Sequence, residues 1–285
     1  KFGEAVEGDL LDPEALRDAF KRVRPDAVMH FAALSNVGES VKDPELYWRN
    51  NVGGSLNLLC AMRDAGVGTI VFSSTAATYG EPEEDPITEG APQRPINPYG
   101  ASKLAVEALL ADFEAAHGIR SIAFRYFNVA GADPEREVGE HHVPETHLVP
   151  LVLDAAAGAR DAITLFGDDY PTPDGTCIRD YVHVMDLIDA HVLGTERLLE
   201  GGESLRLNLG TGSGFSVREV IDAAEAVGGE PIPQKMGERR PGDPSRLVCD
   251  GARAQEVLGW SPRRSVMSEM IGDAWAWRQT GRFGG

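Results

Sequence analysis

The sequence predicts an α/β protein with a doubly wound parallel sheet and a second, smaller α/β domain. Three observations lead to this fold class. Short apolar runs such as DAVMHFAA (26–33) and TIVFSST (69–75) alternate with segments of helical periodicity. Buried apolar strands that alternate with helices favour a parallel sheet with right-handed crossovers. The chain of 285 residues is long enough for two domains, and its loops lengthen after residue 130.

Taken in order, the elements of the first part follow from apolar patterning and from helix-end signals. The predicted elements are a strand at 5–9, a helix at 12–23, a strand at 26–33, a helix at 43–66, a strand at 69–75, a helix at 97–118 and a strand within 119–129. The helix from 97 has the clearest ends. Asn97 can cap it, Pro98 suits its first position, and Gly118 can close it.

The lengthening of the loops after residue 130 predicts two partly interleaved domains. We assign 1–125 and a return segment at 178–199 to the first domain, and 126–177 and 200–285 to the second. In open α/β sheets, ligands bind outside the carboxyl ends of the strands. We therefore expect functional residues near Asp9, 31–33, 73–75 and 126–128.

Charge and apolar content argue against several partners. The formal net charge of −18 argues against nucleic acid and against an anionic membrane surface, since both need a basic face. Apolar runs stay short of the roughly 18 residues that a membrane helix needs. The three cysteines, Cys60, Cys177 and Cys249, are widely spaced, which favours a reduced, cytoplasmic compartment.

The segment NPYGASK (97–103) places Tyr99 and Lys103 one helical turn apart on one face. Alone, such a pair is more often an ordinary amphipathic feature than a catalytic one. Further motifs accompany it in order: HFAA (30–33), FSSTAATYG (72–80), RYFNVAG (125–131) and RDYVHVMDL (179–187). Together they resemble the extended short-chain dehydrogenase/reductases, and among them the UDP-glucose 4-epimerase family, over nearly the whole chain.

The resemblance implies a Rossmann-like dinucleotide-binding domain, a nucleotide-sugar-binding domain, NAD as cofactor and a UDP-sugar as substrate. It also implies a role for specific residues. The catalytic residues would be Tyr99, Lys103 and Thr75. The cofactor-binding residues would be Asp9, Leu10, Phe31, Ala32, Ala33, Asn51, Ser73, Tyr99, Lys103 and Tyr126. The substrate-binding residues would be Thr75, Asn128, His147, Leu148, Thr164, Phe166, Arg179, Arg240 and Asp243.

The implied chemistry depends on an activated tyrosine. A free tyrosine has a pKa of about 10, and lowering it to about 7 takes roughly 4 kcal/mol. A lysine ammonium and a bound nicotinamide cation would both favour the phenolate. Tyr99 would then take the proton of the sugar 4-hydroxyl while Thr75 bonds the same oxygen. A 4-keto sugar would turn over and regain its hydrogen on the other face.

The residues after Thr75 separate epimerisation from dehydration. Nucleotide-sugar 4,6-dehydratases, which are relatives of the family that the sequence resembles, carry an Asp-Glu pair here to act as acid and base. This chain has Ala76 and Ala77, which cannot transfer protons. Dehydration is therefore disfavoured.

Several positions leave alternatives open. Ser35 stands where some members have a cofactor-contacting lysine, and Leu247 occupies a sugar-pocket position where small residues admit N-acetylated sugars. Leucine at this position favours glucose and galactose as the sugars of the substrate.

A cluster of histidines, His141, His142 and His147, could indicate a metal site, but we expect a loop role and no metal. For Arg179 the alternative is a structural ion pair with the neighbouring Asp180.

The stretch LRLNLGTGSGFSVREVIDAAEA (205–226) mimics a dinucleotide fingerprint. Phe215 takes the place of its third glycine, so we expect a turn of the second domain instead.

The family pattern also implies roughly fifty preceding residues with a glycine-rich phosphate loop and the central first strand. The helices at 43–66 and 97–117 have more apolar positions than one sheet face requires. The resemblance implies that they pair in a four-helix dimer interface, so we expect a homodimer. Two alternatives remain: an epimerase of UDP-N-acetylhexosamine or UDP-pentose, and a non-catalytic nucleotide-binding scaffold.

Overall fold

A computed structural model describes residues 3–239 and 244–282. The chain forms two compact units. Unit 1 comprises Lys1–Pro82, Glu89–Arg125 and His191–Asn208, and unit 2 comprises Glu83–Thr88, Tyr126–Ala190 and Leu209–Gly285. The return to unit 1 therefore lies at 191–208, later than the 178–199 expected from the sequence.

The helices and strands alternate along the chain as a parallel α/β fold requires. Up to residue 125 they are α1 Pro13–Val23, β1 Val28–His30, α2 Val37–Lys42, α3 Pro44–Tyr47, a π-helix Trp48–Gly53, α4 Gly54–Ala65, β2 Thr69–Ser73, a 3-10 helix Ala76–Tyr79, α5 Pro98–His117 and β3 Arg120–Arg125. The later elements are β4 Asn128–Ala130, α6 Leu148–Ala156, β5 Ile163–Phe166, β6 Ile178–Arg179, β7 Tyr181–His183, α7 Val184–Leu199, β8 Leu205–Asn208, β9 Phe215–Ser216, α8 Val217–Gly228, β10 Gln234–Gly237, β11 Arg246–Leu247, α9 Ala252–Leu258 and α10 Met267–Arg278.

Unit 1 contains a four-stranded parallel sheet in the order β1-β2-β3-β8. β2 is buried along its whole length, as its continuous apolar sequence predicts. One prediction is wrong: within the described residues, 5–9 form no strand. The strand predicted at 26–33 is also shorter than expected, because its last residues leave the sheet after His30.

The core of unit 1 lies where helices α1, α4 and α5 cover the sheet. Buried apolar side chains from each element meet in one cluster; among its members are Phe20, Leu59, Met62, Ile70, Phe72, Val106 and Leu110. The helix predicted at 43–66 is interrupted by the π-helix Trp48–Gly53, a type of irregularity that is often found at functional sites. None of the described helices combines the length and apolarity needed to cross a membrane.

Unit 2 is built from shorter pieces of sheet. β4 pairs with β7, β5 with β10, and β6 with β11, all in parallel, while β9 is antiparallel to β6. Its core lies among α6, α8, α10 and β5, including Val152, Leu165, Ile221 and Met270. The stretch 205–226 is divided: β8 joins the sheet of unit 1, whereas β9 pairs in unit 2. It is therefore not the strand, turn and helix of one dinucleotide fold.

Candidate functional site

The site in unit 1 lies at the carboxyl ends of adjacent parallel strands. β1 ends at His30, β2 at Ser73 and β3 at Arg125, and β2 lies between the other two. The residues that follow β2 reach the start of α5, because the hydroxyl of Tyr99 is hydrogen-bonded to the side chain of Thr75. Strand ends and a helix start thus meet where the sequence predicted ligand binding.

Helix α5 begins as its sequence predicts. The side-chain oxygen of Asn97 accepts a hydrogen bond of 2.8 Å from the N–H of Gly100, and Pro98 occupies the first turn. Gly118 ends the helix in a left-handed conformation with φ of 69°. The cap fixes the first turn, which carries Tyr99.

Gly100 allows that turn to approach Thr75. A Cβ atom at this position would lie 2.6 Å from the carbonyl oxygen of Ala77, a distance that real Cβ atoms essentially never show. Ala77 belongs to the 3-10 helix that Thr75 caps, through a 3.1 Å hydrogen bond from the N–H of Ala77 to the threonine hydroxyl. The glycine beside Tyr99 is therefore needed for close backbone packing.

Lys103 lies one turn beyond Tyr99 and is only 3% exposed. Its ammonium donates a 2.8 Å hydrogen bond to the carbonyl oxygen of Ser73 and lies 4.8 Å from the centre of the Phe72 ring. Burial lowers the pKa of Lys103 to about 7. A lysine has three N–H donors, so this buried group can also bind a ligand at the strand ends.

The electrostatics of the chain alone keep Tyr99 protonated. Burial raises the pKa of Tyr99, and the hydrogen bond from Thr75 opposes that rise without cancelling it. Lys103, with its own pKa near neutrality, is only partly charged at pH 7. The activated tyrosine predicted from the sequence therefore requires a further positive charge, such as a bound nicotinamide cation.

The predicted cofactor positions occupy two kinds of environment. Asp9 is exposed, and its carboxylate accepts a 2.8 Å hydrogen bond from the N–H of Leu11. Phe31 is 42% exposed just beyond β1, and Ala32 is also exposed. An exposed aromatic ring beyond β1, and a buried lysine donor bonded to the end of the neighbouring strand β2, fit a flat and polar ligand such as a dinucleotide.

Other cofactor positions are structurally engaged or half-buried. Asn51 is 3% exposed, and its amide accepts from the N–H of Leu34 and donates to its carbonyl at 2.9 and 3.0 Å. It therefore orders the loop after β1. Ser73 presents its carbonyl to Lys103, while the remaining members are half-buried: Leu10, Ala33 and Tyr126. Their contacts with a cofactor stay a prediction.

The predicted substrate positions of unit 2 lie on short strands and at a helix start. Asn128 on β4 donates to the carbonyl oxygen of Asp180 at 3.2 Å, and Arg179 on β6 is paired with Leu247 on β11. The others are Thr164 and Phe166 on β5, and His147 and Leu148 at the start of α6. Arg240 and Asp243 lie outside the described residues.

Asp180 does not form the ion pair considered as an alternative. Its buried carboxylate accepts hydrogen bonds from the N–H groups of Thr211, Gly212 and Cys249 and from the hydroxyl of Thr211. Burial raises the pKa of Asp180, although these N–H groups oppose the rise. Asp180 thus fixes the backbone beside Arg179, a role that its sequence neighbours do not reveal.

The sequence predicted only part of a polar cluster at 140–147: it pointed to His142 and His147, but not to the two glutamates beside them. Ligand atoms of Glu140, His142, Glu145 and His147 all lie within 4.8 Å of one another. Nδ1 of His147 is 2.8 Å from Glu140 and 3.1 Å from Glu145. The hydrogen bond that His147 donates to Glu140 raises the pKa of His147, despite burial. Ion pairing accounts for this cluster, and the absence of a metal stays a prediction. The spacing E-x-H-x-x-E-x-H was the available signal.

Comparison with known proteins places the chain in a family. A family model described as GDP-mannose 4,6 dehydratase matches residues 3–273. The UDP-glucose 4-epimerase of Streptomyces lividans is 55% identical over 274 residues, which are 96% of this chain and 82% of the relative. The chain belongs to the UDP-glucose 4-epimerase family. The family and the isomerase class predicted from the sequence are confirmed.

Solved structures of UDP-glucose 4-epimerases share the fold. One from Brucella ovis in complex with NAD has a TM-score of 0.95 and 50% identity, covering 97% of this chain and 85% of its own. Another from Bifidobacterium longum, in complex with NAD+ and UDP, has a TM-score of 0.91 and 39% identity, covering 98% and 84%. The predicted Rossmann-like α/β fold class is confirmed.

Proposed function

We propose that this chain is an NAD-dependent 4-epimerase that interconverts UDP-glucose and UDP-galactose through a 4-keto intermediate. The observation that carries the proposal is the hydrogen bond between Tyr99 and Thr75, with Lys103 one helical turn away. Family membership supports the same reaction. Unit 1 would bind the dinucleotide, and unit 2 the nucleotide sugar.

Each catalytic residue has a role that follows from its position. Tyr99 takes the proton of the sugar 4-hydroxyl and returns it at the end of the cycle. Thr75 binds the 4-hydroxyl oxygen of the sugar as well, since its hydroxyl is hydrogen-bonded to that of Tyr99. Lys103 would hold the nicotinamide ribose, and Phe31 and Ser73 would also contact the cofactor. When bound, NAD supplies the acceptor for the hydrogen of C4 and a positive charge near Tyr99.

The structure gives a reason to prefer epimerisation to dehydration, although the matching family model bears a dehydratase description. Dehydration needs an acid and a base beyond Thr75. Ala76 and Ala77 stand there, and Ala76 is 1% exposed at the start of the 3-10 helix. Neither alanine can carry a proton.

For the nucleotide, the proposal relies on residues of unit 2. Arg179 and Arg240 would bind the pyrophosphate, because a guanidinium fork suits phosphate oxygens. Asp243 would bind the ribose, and the other substrate contacts would come from Asn128, His147, Leu148, Thr164 and Phe166. Arg239 is already engaged, since it bonds Asp169 and lies 4.2 Å over the Tyr170 ring.

Substrate choice is tested by assaying full-length protein with UDP-galactose and with UDP-N-acetylgalactosamine. Because Leu247 would fill the space that an N-acetyl group needs, we expect kcat/KM to favour UDP-galactose by about tenfold or more. A preference for the acetylated sugar, or for a UDP-pentose, would support the alternative epimerase. A folded protein that converts none of these substrates would support the non-catalytic scaffold.

A homodimer and a cytoplasmic location complete the proposal. Exposed apolar side chains in the 37–56 region include Val41 at 63%, Trp48 at 44% and Leu56 at 39%. Exposed apolar groups that cluster on a surface commonly mark a protein interface. They support pairing of these helices and α5 with those of a second copy. The widely spaced cysteines support a reducing compartment.

A further inference from the structure

Helix α5 carries a third polar residue on the face that bears Tyr99 and Lys103. Glu107 lies one turn beyond Lys103 and two turns beyond Tyr99. It is 5% exposed, so its carboxylate is almost entirely removed from water. None of the steps assigned to the sugar uses this carboxylate. Its burial nevertheless requires an explanation, because buried acidic groups are rare unless they are paired.

Glu107 is paired and fully engaged. Its two oxygens accept hydrogen bonds from Arg125, at 3.0 Å from Nε and 2.5 Å from Nη2. Oε1 also accepts a 2.5 Å hydrogen bond from the hydroxyl of Ser74. Burial alone would lower the pKa of Arg125, but the bonds and charge of Glu107 outweigh it and raise that pKa. Arg125 therefore stays charged and fixes the carboxylate.

Ser74 connects this pair to the site, because it lies between the two residues that contact Tyr99 and Lys103. The carbonyl of Ser73 accepts from Lys103, and the side chain of Thr75 bonds Tyr99. The N–H of Ser74 also donates to the carbonyl of Phe124 at 2.9 Å. The serine is 1% exposed and is held on both its backbone and its side chain.

The same arginine fixes the far side of the turn. Arg125 donates to the hydroxyl of Tyr79 at 2.9 Å, and that hydroxyl donates to the side-chain oxygen of Asn208 at 2.8 Å. Tyr79 ends the 3-10 helix that Thr75 caps. Both ends of the 74–79 turn are therefore bonded to one buried ion pair.

We propose that Ser74 and Glu107 form a positioning clamp that holds the 73–75 segment against helix α5, and so sets the Tyr99–Thr75 and Lys103–Ser73 contacts. The clamp rests on the proposed epimerase function only for its effect on turnover. A buried ion pair is weak evidence for stability, because apolar side chains of similar volume often serve as well. A carboxylate with three directed hydrogen bonds instead fixes position, and small misplacements near reacting groups reduce rates strongly.

Ser74→Ala tests the clamp, because it removes the serine hydroxyl and leaves the Glu107–Arg125 pair intact. Ser121→Ala is the matched control: Ser121 is 0% exposed, lies in the same sheet and bonds Arg206 near the start of β3. We expect Ser74→Ala to lower kcat for UDP-galactose by about tenfold to a hundredfold with KM little changed. We expect Ser121→Ala to leave kcat unchanged at a comparable loss of melting temperature.

A second readout does not depend on turnover. The pKa of Lys103 can be followed by NMR of lysine labelled at the ε position and assigned with Lys103→Met. If the clamp holds Ser73 in place, its loss admits water and moves the Lys103 pKa from about 7 toward its ordinary value in Ser74→Ala and not in Ser121→Ala. His30 does not titrate in this range, because burial and the nearby charge of Lys103 lower its pKa to about 4.

The two readouts separate the failure of the clamp from the failure of the proposed function. If both alanine variants behave alike in kcat and in the Lys103 titration, the clamp is refuted. If the wild-type protein does not convert UDP-galactose but the Lys103 pKa moves only in Ser74→Ala, the clamp stands and the epimerase proposal falls. Glu107→Gln should repeat the Ser74→Ala effects with an additional loss of stability, since it leaves Arg125 buried without its anion.

Discussion

Tyr99→Phe is expected to lower kcat for UDP-galactose by roughly 10²–10⁴-fold, the range typical of a lost acid–base group. The phenylalanine ring keeps the packing of the tyrosine, including its edge contact with Tyr47 at 6.5 Å between ring centres. The only group removed is the hydroxyl that bonds Thr75. Initial rates at saturating UDP-galactose would measure the loss, and KM should change little.

Tyr181→Phe is the control for that experiment. Tyr181 is buried, at 4% exposure, and lies on β7 of unit 2. The same chemical change there should leave kcat within about twofold, as expected for a site outside the catalytic group. Turnover by Tyr99→Phe close to that of the wild-type protein would refute the assignment of the base.

Lys103→Met is expected to abolish most activity and, unusually, to change stability in a way that depends on pH. In the folded protein the pKa of Lys103 is about 7, against 10.5 in the unfolded chain. Between these values the unfolded state binds more protons, so wild-type stability rises with pH. The stability that a neutral Lys103 provides is present above 10.5 and is lost as the pH falls toward 7.

Methionine does not titrate. The free energy of unfolding of the variant, taken relative to that of the wild type, should therefore be higher at pH 7 than at pH 10. The difference in unfolding free energy should change by roughly 3 kcal/mol between these two pH values. Urea unfolding of both proteins at each pH measures it. Lys42→Met, at an exposed position on α2, is the control and should show no such change. A difference independent of pH would mean that Lys103 is not held in a desolvated position.

The sequence was sufficient where local signals set the structure. Asn97, Pro98 and Gly118 gave both ends of α5, because caps and prolines act within one turn. Residues 5–9 were wrongly predicted as a strand, since a strand depends on a partner that the local pattern does not reveal. The π-helix at Trp48–Gly53 was also missed, because its apolar spacing matches that of an α-helix.

The site shows the same division. The spacing of Tyr99 and Lys103 could be read directly, because four residues make one helical turn. The contact between Ser74 and Glu107 spans 33 residues and could not, since it depends on how β2 packs against α5. Neither could the raised pKa of Tyr99, which reflects burial in the folded chain. Chemistry was predictable from residue types, whereas positions and protonation required the fold.

The fate of the hydrogen on C4 tests the proposed reaction most directly. UDP-galactose carrying deuterium at C4 is converted in ordinary water, and the UDP-glucose formed is examined by mass spectrometry and NMR. We predict that deuterium is retained at C4, because this hydrogen leaves and returns to the same carbon without exchanging with solvent. Replacement of the deuterium by hydrogen from water would contradict the account.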